Sequence, residues 1–355
     1  MISNSHLDAV PLQSIIVAWA TSGSFERSVP LAFLGERNRN LGLNIGFDVL
    51  FLEGLHLLSS SYREKLSALG YRLHNGESLY RQLKKRYAVL ERFGSYEQNC
   101  FLRWLAIRDF FGNTPFVHYD ADIVFNTTPE EINAELSGLT FILHGCPAYA
   151  RIEDPAWLES YTTELDRFVA DMEAYSTDAW RQRSGFAATA QERNGHLWDR
   201  RILSSDQDFM QFLTLSGRLP QADAATVHSR CSSVLFIHPL GIGEETHLPL
   251  PLRYERRDGI DYLGDRKVAF WHMTNGFCDY LGYATFLHQL LISSRTPWVQ
   301  SRTEGPLSYA AYRALVRFTG TYSRGQLIRR YFGEDSRDLG FIFNDKRYWH
   351  SGVFV

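Results

Sequence analysis

The chain has 355 residues, of which 45% are hydrophobic and 22% charged, an ordinary composition for one large or two modest globular domains. Its formal net charge of −3 does not indicate a nucleic-acid partner, and none is expected. The four cysteines are too far apart for a CxxC-type zinc site, so reduced thiols are predicted.

The N-terminal stretch MISNSHLDAVPLQS lacks both a basic region and a long apolar core, so no signal peptide is predicted. No uncharged apolar run approaches the roughly 20 residues that a transmembrane helix needs. The sequence therefore predicts a cytoplasmic protein. Any peripheral contact with a membrane would therefore be at its inner face.

Strands and helices alternate in the predictions for the first part of the chain. Residues 14–19 and 47–52 are apolar runs typical of buried strands, and residues 71–73 form a shorter one. Helices are predicted at residues 30–41 and 59–69. This order favours parallel βαβ units, and therefore an α/β fold with a mostly parallel central sheet flanked by helices.

Small residues follow the first predicted strand, among them Ala20 and Thr21. Small side chains allow a backbone to approach a ligand closely, although a plain strand-to-helix turn would have the same composition. Residues 96–111 place apolar side chains at three- and four-residue spacing, which predicts a helix. On this helix, Arg103 could contact a diphosphate or form a surface salt bridge.

The segment TPFVHYDADIVFNTT, residues 114–128, carries the strongest chemical signal. An apolar run predicts a buried strand, and Asp120 and Asp122 follow it directly, separated by Ala121. Carboxylates are rarely buried without a compensating cation or hydrogen-bond donor. Mg²⁺ and related hard ions take carboxylate ligands together with substrate phosphates. Since open α/β sheets bind ligands at the carboxyl ends of their strands, a divalent-metal site is predicted here.

The stretch FVHYDADIVFN resembles the Asp-x-Asp segment of glycosyltransferases with the GT-A fold. In that superfamily the segment binds a divalent ion, and the ion holds the diphosphate of a nucleotide-sugar. The resemblance implies Mn²⁺ or Mg²⁺ as the cofactor, with Asp122 as a ligand and Asp120 near the ribose or the metal. It implies a GT-A-like (Rossmann-like) catalytic domain over residues 10–292 and a helical C-terminal extension over residues 293–355. The nucleotide-sugar contacts would be Ala20, Thr21, Arg103, Tyr119, Asp120, Ala121 and Gly185.

A helix with polar surface is predicted at residues 153–174 and is expected to lie outside the core sheet. Residues 204–215, SSDQDFMQFLTL, then combine a serine N-cap with Asp206 and Asp208 in the first turn of another helix. Acids in a first turn stabilise a helix through its dipole, which would explain both residues without catalysis. The resemblance implies instead that one of them is the general base of an inverting enzyme.

His272 follows a predicted strand at residues 268–271 and precedes a small polar loop. A histidine in this position can present a ring nitrogen to a metal, although a lone histidine is also commonly a hydrogen-bonded structural residue. By resemblance, His272 would complete the metal shell.

Residues 306–332 are predicted to be helical, with arginines interleaved among aromatic residues. Such a segment could lie on a membrane surface or hold an anionic acceptor. The alternative is a helix packed against the sheet with solvated arginines.

The expected activity is a hexosyltransferase-type transfer of a sugar from a UDP-sugar to a hydroxyl of a glycan or glycolipid, in the assembly of bacterial cell-surface polysaccharide or glycoconjugates. One alternative is a sugar nucleotidyltransferase, but the Gly-rich phosphate loop and lysine expected after the first strand are missing. The other alternative is a non-catalytic carbohydrate-binding protein with a degenerate site.

Overall fold

The structure is a computed structural model. It describes residues 12–22, 24–142, 147–181, 203, 205–235, 253–274, 278, 281–283, 285–286, 306–319 and 324–333. Gly185, predicted to contact the nucleotide-sugar, lies outside these residues.

Strands and helices alternate in the first part of the described chain, up to β4. The strands are β1 (Gln13–Trp19), β2 (Phe47–Glu53), β3 (Tyr71–Asn75), β4 (Phe116–Tyr119), β5 (Ile123–Phe125), β6 (Phe141–Ile142), β7 (Tyr149–Ile152), β8 (Val234–Leu235), β9 (Tyr254–Arg257), β10 (Ile260–Leu263) and β11 (Arg266–His272). The helices are α1 (Phe25–Ser28), α2 (Leu31–Asn40), α3 (Ser60–Ala68), α4 (Glu77–Arg86), α5 (Ser95–Phe111), α6 (Pro129–Glu135), α7 (Ala156–Ala170), α8 (Met172–Arg181), α9 (Asp206–Leu215), α10 (Ala224–Arg230), α11 (Pro306–Thr319) and α12 (Arg324–Phe332).

Six of these strands form a sheet in the order β3–β2–β1–β4–β7–β6. The first four pair in parallel, and β7 and β6 continue the sheet in antiparallel pairs. The prediction of an α/β fold with a mostly parallel sheet is therefore confirmed. The strand order reverses at β1, which has β2 on one side and β4 on the other. The carboxyl ends of β1 and β4 consequently flank the crevice where such sheets bind ligands.

Helix α5 crosses the hydrophobic core beside this sheet. Every residue from Gln98 to Ile107 is buried, because α7 covers part of the surface that a helix on a sheet would normally expose. Trp157 of α7 contacts Trp104 of α5 edge-to-face, with the ring centroids 5.4 Å apart. Residues 153–174, predicted as one helix outside the core sheet, form α7 and the start of α8, and the apolar side of α7 completes the hydrophobic core beside the sheet.

A second sheet has the order β5–β11–β10–β9, with β8 beside β11. The β9–β10 hairpin was not predicted, although its sequence carries the expected turn signal. Asp258 and Gly259 have φ angles of 51° and 78°, as the two central residues of a tight hairpin require.

The segment Asp120–Asp122 is where the chain passes from the first sheet to the second. β4 ends just before it, and β5 begins just after it. The Asp120 N–H donates to Ala148 O (2.9 Å), and the Met273 N–H donates to Asp122 O (3.2 Å). One backbone hydrogen bond to a residue next to each sheet therefore fixes the position of this segment.

Helix α12 shares a hydrophobic cluster with residues of the predicted catalytic domain. Leu327 and Ile328 are buried in the same cluster as Leu34, Val124 and Trp271. Within the described residues, α12 of the predicted C-terminal extension thus packs against the predicted catalytic domain. No helix in the described part of the chain is both long and apolar enough to cross a bilayer.

Asp48, near the start of β2, is a buried carboxylate with several hydrogen-bond donors. It accepts from Gln13 Nε2 (2.8 Å) and from Arg72 Nε (2.9 Å) and Nη2 (2.7 Å). His74 Nε2 lies 2.6 Å from its Oδ1. Burial raises the pKa of Asp48, but the hydrogen bonds outweigh burial and lower the pKa from 3.8 to about 2.

Asp48→Asn is expected to lower the free energy of unfolding by about 2 kcal/mol at pH 7, the equivalent of this pKa shift. Because the folded-state pKa is the lower one, the stabilisation is present above about pH 4 and is lost as the pH falls towards 2. Urea unfolding at pH 7 and pH 3 measures the effect. The difference between the variant and the unaltered protein should shrink at pH 3, and an equal difference at both pH values would contradict this account.

Candidate metal site

Asp120, Asp122 and His272 meet between the two sheets. β11 pairs with β5 in antiparallel register, which places His272 opposite Ile123, the residue after Asp122. His272 Nε2 lies 3.8 Å from Asp120 Oδ2 and 3.6 Å from Asp122 Oδ1. One ligand atom from each side chain lies within 4.8 Å of the other two, so the group could hold a metal ion.

The spacing of these atoms fits a shared ion. Nitrogen–oxygen hydrogen bonds are about 2.7–3.2 Å long, shorter than both distances from His272. Two ligands that each lie about 2.1 Å from one ion are about 3 to 3.6 Å apart. A small side-chain adjustment would therefore bring Asp120, Asp122 and His272 to coordination distance.

An arginine holds each carboxylate by the oxygen that faces away from His272. Arg103 Nη1 donates to Asp120 Oδ1 (2.9 Å), and Arg324 Nη1 donates to Asp122 Oδ2 (2.8 Å). Asp122 and His272 are only 7% and 6% exposed. The side chain of Asp120 is 31% exposed, so the site opens to solvent on the side of Asp120.

Arg103 is buried and shared between two carboxylates. Besides Asp120, it contacts Asp206 at the start of α9 through Nη2. Burial lowers the pKa of Arg103, but the two acids outweigh burial and raise it, so the guanidinium stays charged. Arg103 was predicted to contact the nucleotide-sugar directly. The guanidinium is enclosed and binds Asp120, and its contact with the nucleotide-sugar stays a prediction.

Asp206 and Asp208 lie in the first turn of α9, as predicted, and Ser205 Oγ caps the helix by accepting from the Asp208 N–H (3.1 Å). Both acids are buried. Burial raises the pKa of Asp206, while Arg103 acts in the opposite direction without cancelling the rise. Asp206 is thus the buried end of a chain of ion pairs, Asp206–Arg103–Asp120. The role of either acid as a general base stays a prediction.

Tyr119 was predicted to contact the nucleotide-sugar, and this contact stays a prediction. The ring is fully buried and stacks on Tyr149, with centroids 5.3 Å apart, because alternate residues of a strand point to opposite faces of the sheet. Asp120, two positions beyond the buried His118, leaves the strand and turns toward the site. Burial and Arg103 lower the pKa of His118 to about 3, so it is neutral near Asp120.

The predicted contacts at the end of β1 lie at the crevice. Ala20 is buried, and its N–H donates to Glu53 O (3.0 Å). Gly54 has a φ of 78°, and a Cβ there would be 2.0 Å from Ala20 O, so these two backbones approach closely. Thr21 is exposed and Ala121 is half-buried, so both are accessible.

Sequence reasoning missed three features near the site. Arg324 carries no local motif. Trp19 and Tyr96 form an aromatic pair at the carboxyl end of β1, with ring centroids 5.6 Å apart and Tyr96 63% exposed. Glu97 lies beside the start of α9. Burial raises its pKa to about 7, and the charge of Asp206 adds to the rise.

No protein-family model matches the chain, and no curated protein matches it. The chemistry of the site is therefore inferred from its geometry. Three carboxylates, Asp120, Asp122 and Asp206, face the guanidiniums of Arg103 and Arg324, which leaves one negative charge in excess. A divalent ion would reverse the sign of this balance and make the site attractive to phosphate oxygens.

Arg103→Ala is expected to lower the free energy of unfolding at pH 7 by about 3–5 kcal/mol, because it leaves Asp206 buried without its cation. Arg108→Ala, on the same helix but half-buried, serves as the control and should cost about 1 kcal/mol or less. Urea unfolding of the two variants and of the unaltered protein measures both differences in the free energy of unfolding.

Adding Asp206→Asn to the Arg103→Ala variant should recover part of the lost stability, because it removes the uncompensated buried charge. Strictly additive losses would show that the two side chains do not form a buried pair.

Proposed function

We propose that the protein is a metal-dependent glycosyltransferase with a GT-A-like fold, which transfers a sugar from a nucleotide-sugar, UDP-linked by preference, to an acceptor hydroxyl. The observation that carries this proposal is the convergence of Asp120, Asp122 and His272 at the carboxyl ends of β4 and β11. When bound there, Mn²⁺ or Mg²⁺ would act as a Lewis acid and stabilise the charge of the leaving diphosphate.

The residues around this group suit a nucleotide-sugar. Asp120, Asp122 and His272 would hold the ion, and the partly exposed Arg324 adds positive charge beside it. The exposed ring of Tyr96, supported by Trp19, offers an aromatic face for a base or a sugar. This face lies at the end of β1, which neighbours β4, the strand that Asp120 follows.

The base that deprotonates the acceptor must have an oxygen within hydrogen-bond reach of the acceptor hydroxyl. Asp206 and Asp208 are the two predicted candidates, and Asp206 binds Arg103 through one oxygen. Glu97 joins them, since a pKa of about 7 is well suited to accepting a proton at neutral pH.

We place the acceptor, a glycan or glycolipid, at the cytoplasmic face of a membrane. Residues 306–333 contain five arginines and no acidic residue. On α11, Arg313 and Arg317 lie on the exposed surface together with Phe318, whose exposure is 82%. An exposed aromatic residue beside arginines supports peripheral contact with anionic lipids.

Asp122→Asn is expected to abolish Mn²⁺-dependent release of nucleoside diphosphate from the donor, because it removes one ligand charge from the metal site. The assay screens UDP- and GDP-sugars with Mn²⁺ or Mg²⁺ and measures the nucleoside diphosphate released. Asp109→Asn, an exposed acid at the end of α5, is the control and should keep full activity. Full activity of Asp122→Asn, or of the unaltered protein in excess chelator, would reject the proposal.

The same assay separates the alternatives. Release of inorganic diphosphate in place of nucleoside diphosphate would indicate a sugar nucleotidyltransferase. Nucleotide binding that is unaffected by metal, with no product, would indicate a non-catalytic binding protein.

Activity is expected to rise with pH through about 7 if Glu97 accepts the proton, because only its ionised form is a base. Glu97→Gln should remove this ionisation from the pH profile of kcat/KM. A profile that keeps the same inflection in the variant would assign the ionisation to another group.

A further inference from the structure

The first residue of α12 reaches the candidate metal site from the far end of the chain. Arg324 Nη1 donates to Asp122 Oδ2 at 2.8 Å, across a sequence separation of 202 residues. The guanidinium side chain is 33% exposed, and the carboxylate side chain of Asp122 is 10% exposed. The contact therefore joins the nearly buried carboxylate of Asp122 to the partly exposed guanidinium of Arg324 at the edge of the site.

We infer that Arg324 is a positioning residue for the metal site: it fixes the Asp122 carboxylate so that Oδ1 faces His272, and it thereby makes metal affinity depend on the C-terminal helix. This inference rests on the proposed metal site. It adds that the site is incomplete without α12, which the sequence assigned to an extension outside the catalytic domain.

Packing holds α12 in a fixed place, so Arg324 is delivered to the site by the fold. Leu327, Ile328 and Tyr331 are buried. Arg256, on β9, donates through Nη1 to Tyr331 O and lies over the ring of Phe332, 5.1 Å from its centroid.

Arg324 and His272 lie beside different oxygens of Asp122. This arrangement indicates that Arg324 supports the binding of an ion and does not compete with it. Arg324 takes Oδ2, while Oδ1 lies 3.6 Å from His272 Nε2. The carboxylate of an aspartate can rotate about its Cβ–Cγ bond. A hydrogen bond from a fixed donor to one oxygen stops this rotation and so sets the direction of the second oxygen. Partners of this kind raise metal affinity, and their loss typically weakens it 10- to 100-fold.

Asp120 shows the same arrangement with a different arginine. Arg103 binds Oδ1, and Oδ2 lies 3.8 Å from His272 Nε2. Both carboxylates of the site are thus oriented by one guanidinium each. Arg103 comes from α5, which directly precedes the site, whereas Arg324 comes from the helix that ends the described chain.

The test measures Mn²⁺ affinity of the full chain by calorimetry, without nucleotide, for Arg324→Ala, Arg324→Lys and Arg330→Ala. Arg324→Ala should weaken Mn²⁺ binding about 10- to 100-fold. Arg324→Lys should recover part of this loss, because lysine keeps the charge but lacks the planar donor geometry. Arg330→Ala removes the same charge from the same helix away from Asp122 and should bind Mn²⁺ as the unaltered protein does. Far-UV circular dichroism at the assay temperature confirms that each variant is folded.

The outcomes separate this inference from the function on which it rests. If the unaltered protein binds Mn²⁺ and Arg324→Ala binds it equally well or more tightly, the positioning role is wrong and the metal site stands. An equal loss of Mn²⁺ affinity in Arg330→Ala would also overturn the inference, because it would show that the effect depends on net charge alone. If the unaltered protein binds neither Mn²⁺ nor Mg²⁺, the metal site itself is wrong and this inference with it.

Discussion

The structure around the candidate site depends on balancing carboxylates that the fold buries between two sheets. A buried carboxylate is costly unless cations and hydrogen-bond donors compensate it. Asp120 and Asp122 each obtain one guanidinium, and each keeps a second oxygen near His272. The arginines alone leave one negative charge in excess once Asp206 is included, and Asp120, Asp122 and His272 could together hold a metal ion.

The fold brings these groups together by passing one short segment from sheet to sheet. Because β4 belongs to the first sheet and β5 to the second, Asp120 and Asp122 lie at a junction that neither sheet covers. The antiparallel pairing of β11 with β5 brings His272 to the same junction. Helices α5 and α12, which are distant in sequence, place Arg103 and Arg324 beside these two carboxylates.

The features that were predictable are those encoded by local sequence. A buried strand that ends in two aspartates, and a strand that ends in His272, are visible as apolar runs followed by polar ligands. The partners of these residues are set by long-range packing, and Arg324 carries no signal in its own neighbourhood. Tyr119 was assigned to the ligand because it adjoins Asp120, but the alternation of side chains in β4 turns its ring into the core. The second sheet was also missed as a unit, although the Asp-Gly turn of its hairpin was visible.

The central claim is that Asp120, Asp122 and His272 bind one divalent ion, and anomalous scattering from a crystal grown with Mn²⁺ and UDP tests it most directly. The account predicts one manganese peak about 2.1 Å from Asp120 Oδ2, Asp122 Oδ1 and His272 Nε2, with the diphosphate on its open side. Data that show ordered side chains at the site and no manganese peak between them, or a peak elsewhere on the chain only, would contradict it.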